Sequence, residues 1–143
     1  MSDTRESIRE LVAAEHSRLE SLFAEVFGSL RKGGEGAAVQ DAFAQLRDQL
    51  EAHLAREDRL YYPVLSALRP AQREPLAAIA AAHDAFRSQL AQIESSLTRG
   101  ELATALGGLE SLASLFAAHE VAEEQMLNQI DEEIRTKAVA STG

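Results

Sequence analysis

Apolar residues recur at spacings of three and four along four stretches of this 143-residue chain, the period of helices that each bury one face. The first stretch carries Ile8, Val12, His16, Leu19, Phe23, Val26 and Leu30. The second carries Phe43, Leu46, Leu50, His53, Glu57, Leu60, Val64 and Leu68. The third carries Leu76, Ile79, His83, Phe86, Leu90, Ile93 and Leu97, and the fourth Leu102, Leu106, Leu109, Leu112, Phe116, His119, Glu123, Met126, Ile130 and Ile134. No stretch alternates as a strand would. Asp3 with Glu6 three residues on is a variant capping box that starts a helix running to about Lys32, and Gly33, Gly34 and Gly36 close it. The second helix is expected over about 38–68, with Pro63 kinking it one or two turns past Glu57. Arg69 to Pro75 reads as a loop inside one domain, because each half alone is too small to bury its stripe. The third helix is expected over about 74–98, ended by Gly100, and the fourth over about 101–136. Within the fourth, Gly107 and Gly108 mark either a break or a close approach to a neighbouring helix, each costing roughly 1 kcal/mol against Ala. Four such helices on short loops predict an all-α, up-down-up-down four-helix bundle over 1–136, followed by a flexible tail over 137–143.

The stripes are apolar except at six positions. His53 and Glu57 stand four residues apart on one face where a Leu or Val belongs, and the pair recurs as His119 and Glu123. The other two histidines, His16 and His83, each sit in the helix preceding such a pair. The chain thus reads as an internal duplication, with halves of about 7–68 and 74–135. In each half a single His is followed by His-x-x-x-Glu on the next helix. A single His on an apolar stripe is more often a hydrogen-bonded core residue, and a single His-x-x-x-Glu is common by chance on a solvated face. A duplicated pattern that places every histidine of the chain in a stripe is harder to explain that way. An unpaired carboxylate in such a slot costs several kcal/mol or neutralises, so Glu57 and Glu123 need partners.

With the four stripes face to face, His16, His53, Glu57, His83, His119 and Glu123 meet. Four neutral imidazoles and two carboxylates can hold two metal ions, each taking two His nitrogens and sharing both carboxylates, with labile positions left over. This donor set suits iron, with zinc or manganese as substitutes. Asp58 and Glu124 are expected to face solvent or to orient a His, Tyr61 to pack in the core, and Tyr62 has no assigned role. The acidic run Glu120, Glu123, Glu124, Asp131, Glu132, Glu133 reads mostly as a solvated face, with only Glu123 singled out by its phase.

Composition narrows the function classes. The formal charge of −9 argues against nucleic acid and against an anionic membrane surface. No apolar run approaches the roughly 20 residues of a membrane span, and the charged N-terminus is unlike a secretory signal. With no cysteine, thiol catalysis, iron–sulfur clusters and thiolate metal sites are excluded together. A cytoplasmic protein, monomeric or weakly homo-oligomeric, is the expectation.

The order His16, His53-x-x-x-Glu57, His83, His119-x-x-x-Glu123 resembles the hemerythrin-like family, the HHE cation-binding domain. The run Glu57-Asp58-Arg59-Leu60-Tyr61-Tyr62-Pro63 also resembles that family's acidic pair followed by an aromatic–proline step. The resemblance covers about residues 7–135. It implies a non-haem di-iron centre, oxo- or hydroxo-bridged, with the four histidines as terminal ligands and Glu57 and Glu123 bridging. Two departures from the oxygen carriers of the family stand out. Their fifth His is matched here by Arg87, which stays protonated and cannot ligate. That leaves one iron a free position, with Glu15 and Tyr61 as the conceivable substitutes. Their last carboxylate would match Glu124, whereas helical phase and symmetry with Glu57 select Glu123. The resemblance therefore implies a protein that binds or reacts with a small ligand such as O2, NO or peroxide, with no catalytic residue assigned. The alternative is a non-catalytic metal-binding, iron-sensing or iron-storage module.

Overall fold

The computed structural model describes residues 4–33 and 36–142, with side chains over 8–33 and 36–136. The described residues form helices and short turns, with no strand among them. They are α1 (Thr4–Arg31), α2 (Gly36–Arg56), a π-turn (Glu57–Tyr61), α3 (Tyr62–Leu68), a 3-10 turn (Pro70–Gln72), α4 (Arg73–Ala80), α5 (Ala82–Thr98) and α6 (Leu102–Thr142). These make four helical arms: α1, then α2 continued by α3, then α4 continued by α5, then α6. The expected cap at Asp3 and the loop residue Gly34 lie outside the described residues. No helix among the described residues is long and apolar enough to cross a membrane.

The arms pack because each buries its stripe. α1 lies on α2, α2 on α5, α5 on α6 and α6 on α1, closing a ring. Every expected stripe residue of α1 is buried, including His16. Two apolar clusters fill the interior. The larger is built on Leu19, Phe23, Phe43, Leu46, Leu50, Phe86, Leu90, Leu109 and Phe116. The smaller holds Ile8, Val12, Tyr61, Tyr62, Leu65, Leu76, Leu127 and Ile130. The six polar stripe residues form a layer between them. The turn that ends α1 and the one that ends α5 each use a glycine at positive φ, Gly33 at 64° and Gly100 at 74°, a region open to glycine at little cost.

Pro63 acts on the second arm through its backbone. A proline ring lacks an N–H and collides with the carbonyl four residues back in an α-helix. Here the preceding turn widens, so that the Tyr62 N–H donates to the Glu57 carbonyl five residues back. The widened turn begins at Glu57 itself and adds one residue to the helical count. The stripe beyond it moves accordingly. Tyr61, Tyr62 and Leu65 are buried, whereas Leu60 and Leu68 are 52% and 45% exposed and Val64 is half-buried. The expected continuation of the core is thus corrected at Leu60 and Leu68 by one π-turn, while Val64 packs against the smaller cluster.

One open expectation is decided and two others change. α6 runs unbroken through Gly107 and Gly108. A Cβ on Gly108 would lie 3.1 Å from Ile93 Cγ1, so that glycine admits a close approach of α5. The backbone of α6 continues helical to Thr142, past the expected end near Thr136. The link between the second and third arms is ordered as a 3-10 turn and held to α6, with Arg69 and Gln72 donating to the Glu133 carboxylate at 2.9–3.1 Å.

Candidate metal centre

Each polar stripe residue comes from a different turn of the bundle. α1 supplies His16, α2 His53, the start of the π-turn Glu57, the second residue of α5 His83, and α6 both His119 and Glu123. All six are buried, at 0–7% exposure. Their donor atoms converge in two groups. His16, His53, Glu57 and Glu123 form one, and Glu57, His83 and His119 the other, with the atoms of each group within 4.8 Å of one another. Glu57 belongs to both groups. Its Oε1 lies 3.3 Å from His53 Nε2, 3.2 Å from His83 Nε2 and 4.0 Å from His119 Nε2. Glu123 leans to one side: its Oε1 is 2.9 Å from His16 Nε2 and its Oε2 is 4.0 Å from His119 Nε2.

These atoms approach one another without hydrogen-bonding. The Nε2 of all four histidines, both oxygens of Glu57 and Oε1 of Glu123 are buried with no hydrogen-bond partner among the described residues. A native core leaves few such groups, because each forfeits about 1–3 kcal/mol of solvation. Their convergence in two adjoining groups is what cations would satisfy, since lone pairs that cannot donate to one another can all face a metal. The residues present fit divalent or trivalent metal ions.

The outer nitrogens are held from behind. The Nδ1 of His83 lies 2.8 Å from Asp58 Oδ1, and Arg87 donates to the other oxygen of Asp58 at 2.8 Å. The Nδ1 of His53 lies 3.3 Å from Glu15 Oε2, and Arg56 donates to Glu15 in turn. The Nδ1 of His16 faces two carboxylates, Glu120 and Glu124, each at 3.3 Å. Such contacts fix the tautomer that presents Nε2 to the centre and raise its basicity. Asp58 and Glu124 thus hold histidines, one of the two expected roles. Arg87 is turned away from the centre, onto Asp58 and Asp84.

Sequence reasoning missed four residues. Tyr62, 6% exposed, donates its hydroxyl to Glu123 Oε2, and its ring stacks on His83 with centroids 5.8 Å apart. The signal for it was Pro63: a π-turn places residue i+5, not i+4, over Glu57. Glu15, weighed only as a substitute ligand, supports His53. Glu120, assigned to the solvated face, is buried beside His16, and Asp131, from the same acidic run, is also buried and pairs with Arg9 at 3.4 Å.

The electrostatics follow from crowding acids and imidazoles. Burial alone would lower the pKa of His16, but the Glu123 carboxylate, with Glu120 and Glu124, raises it to about 9. Burial lowers that of His53 to about 4. The two central carboxylates are driven apart. Burial opposes the charge on Glu57, but its neighbours Glu123, His119 and His83 hold its pKa down. Burial and the adjacent Glu57 push that of Glu123 up. Without a metal, the layer thus keeps protons to offset its like charges.

The model of the hemerythrin HHE cation binding domain matches residues 7–130 of the chain. Searches of curated proteins and of solved structures return no match.

Proposed function

Because the chain belongs to the hemerythrin HHE cation-binding domain family, we propose that it is a non-haem di-iron protein that binds or reacts with a small ligand such as O2, NO or peroxide. The observation that carries this reading is the convergence of unpartnered buried donors from four helical arms on one layer. His16, His53, Glu57 and Glu123 would hold one ion, and His83 and His119 with Glu57 the other. Two irons there would supply reversible electron transfer and open coordination positions. The chain's own part is to present four imidazoles, to place Glu57 between the two groups, and to exclude bulk water with an apolar cluster on either side. The ring of neighbouring arms supports an up-down-up-down order.

The test is metal content per chain on protein prepared without an affinity tag, with absorption spectra before and after dithionite, air and nitric oxide. About two irons per chain, with charge-transfer bands that bleach on reduction and return in air, are expected. Zinc alone, or no metal after reconstitution with ferrous iron, overturns the di-iron reading. Iron that binds but leaves the spectrum indifferent to dithionite, air and nitric oxide transfers the assignment to metal storage or sensing.

A further inference from the structure

The two halves of the centre are unequal, and the inequality traces to one hydroxyl. Three of the four central carboxylate oxygens are unpartnered: both of Glu57 and Oε1 of Glu123. The fourth, Glu123 Oε2, accepts from Tyr62. It is the oxygen that faces His119, 4.0 Å away. Capping it occupies a lone pair of Oε2 and leaves Oε1, the oxygen nearest His16, as the freer donor of Glu123. The counts then differ, with four residues gathered around His16 and His53 but three around His83 and His119. Nothing from α5 makes up the deficit, because Arg87, one turn after His83, is engaged with Asp58 and Asp84 at the surface.

We propose that Tyr62 sets this asymmetry: by holding Glu123 Oε2 it confines Glu123 to the His16–His53 side and leaves the His83–His119 side as the place where a small ligand with an acceptor atom binds, beside the Tyr62 hydroxyl. The proposal rests on the two-metal reading and adds the side of the reaction and the residue that selects it. Tyr62 is a positioning residue toward Glu123, and it is also the O–H donor lying next to the open side. The hydroxyl proton stays directed at Glu123 when a ligand binds, so the side stays open.

Cobalt(II) titration of the metal-free protein, read by its visible absorption, tests this in the wild type and in Tyr62→Phe. The substitution keeps the ring and its stacking on His83. In the wild type two ions bind stepwise, the first more tightly. In Tyr62→Phe the freed Oε2 tightens the second step, narrowing the ratio of the two constants by about ten- to a hundredfold, the size of one hydrogen bond to a charged group. A purely structural loss would weaken both steps alike and leave their ratio intact. Azide binding to the iron-loaded variant is expected to weaken by a similar factor. Two ions bound with the same stepwise ratio in both proteins would overturn the proposal and leave the di-iron reading standing. A phenolate-to-iron absorption band in the wild type that disappears in Tyr62→Phe overturns it as well, making Tyr62 a ligand. A single ion per chain in both proteins overturns the two-metal reading and the proposal with it.

Discussion

Three of the four histidines reach the centre with a carboxylate at their backs, and each carboxylate comes from another helical segment: Glu15 in α1 for His53, Asp58 in the π-turn for His83, Glu120 and Glu124 in α6 for His16. Two of these supports are themselves tied to an arginine, Arg56 and Arg87. Arg87, at the position where the resemblance led to the loss of a ligand, therefore fixes the residue that orients His83. Asp58→Asn removes the charge behind the imidazole while keeping its shape. Metal affinity is expected to fall by about 10- to 100-fold, measured by competition with a chelator, with the unfolding midpoint of the metal-free protein little changed because Asp58 is partly exposed. At this scale, the six central donors were legible because each interrupts an apolar stripe that periodicity defines. Their supports were legible only in part: Asp58 and Glu124 were candidates to orient a His, whereas Glu15 and Glu120 were not placed behind one. Glu15 and His53 meet across a helix interface, and no local period connects residues on different arms.

At the scale of elements, the second arm shows where periodicity breaks. Counting by α-helical turns places Leu60 in the core, but the π-turn moves it to the surface and buries Leu65. Leu60→Lys is therefore expected to change stability by no more than about 0.5 kcal/mol, whereas Leu65→Ala costs about 2–5 kcal/mol. Urea denaturation of the two variants separates the registers: comparable losses would mean that the stripe runs straight through Glu57. The same scale covers the paired glycines of α6. Gly107 has nothing within 4 Å of an added Cβ, whereas Gly108 faces Ile93 at 3.1 Å. Gly107→Ala is expected to stabilise by up to about 1 kcal/mol through helix propensity. Gly108→Ala gains less or loses, and thermal melts showing equal gains would refute the close approach. Either reading of the glycine pair was open from the chain alone, since a packing contact with another helix leaves no mark on the sequence of its own.

Across the whole molecule, two apolar clusters are separated by a layer that carries four imidazoles and two acids. In an ordinary bundle that layer would be apolar and would add to the core. Here it withholds stability until its donors are satisfied, so cohesion between the two ends depends on what occupies the middle. Stripping the metal and refilling it should move the melting temperature accordingly. Free metal at roughly a hundred times its dissociation constant adds about 2.7 kcal/mol, a rise of roughly 10 °C in a thermal melt. A metal-free protein that melts where the loaded one does would show that the layer is held together by its own protons. That all four arms are needed explains why the fold was legible from stripes alone, since each stripe has only the other three to bury it.

The widened turn at Glu57 also governs how this chain is set beside others or borrowed for design. One residue in the span from Glu57 to Tyr61 has no counterpart in a regular helix. An alignment with a relative lacking it must open a gap of one position there, or Tyr61 will be matched with the place that Tyr62 holds. For the same reason, a centre grafted onto an idealised straight bundle with the His-x-x-x-Glu motif intact would bring Tyr61, or an aliphatic residue, to Glu123 in place of the Tyr62 phenol.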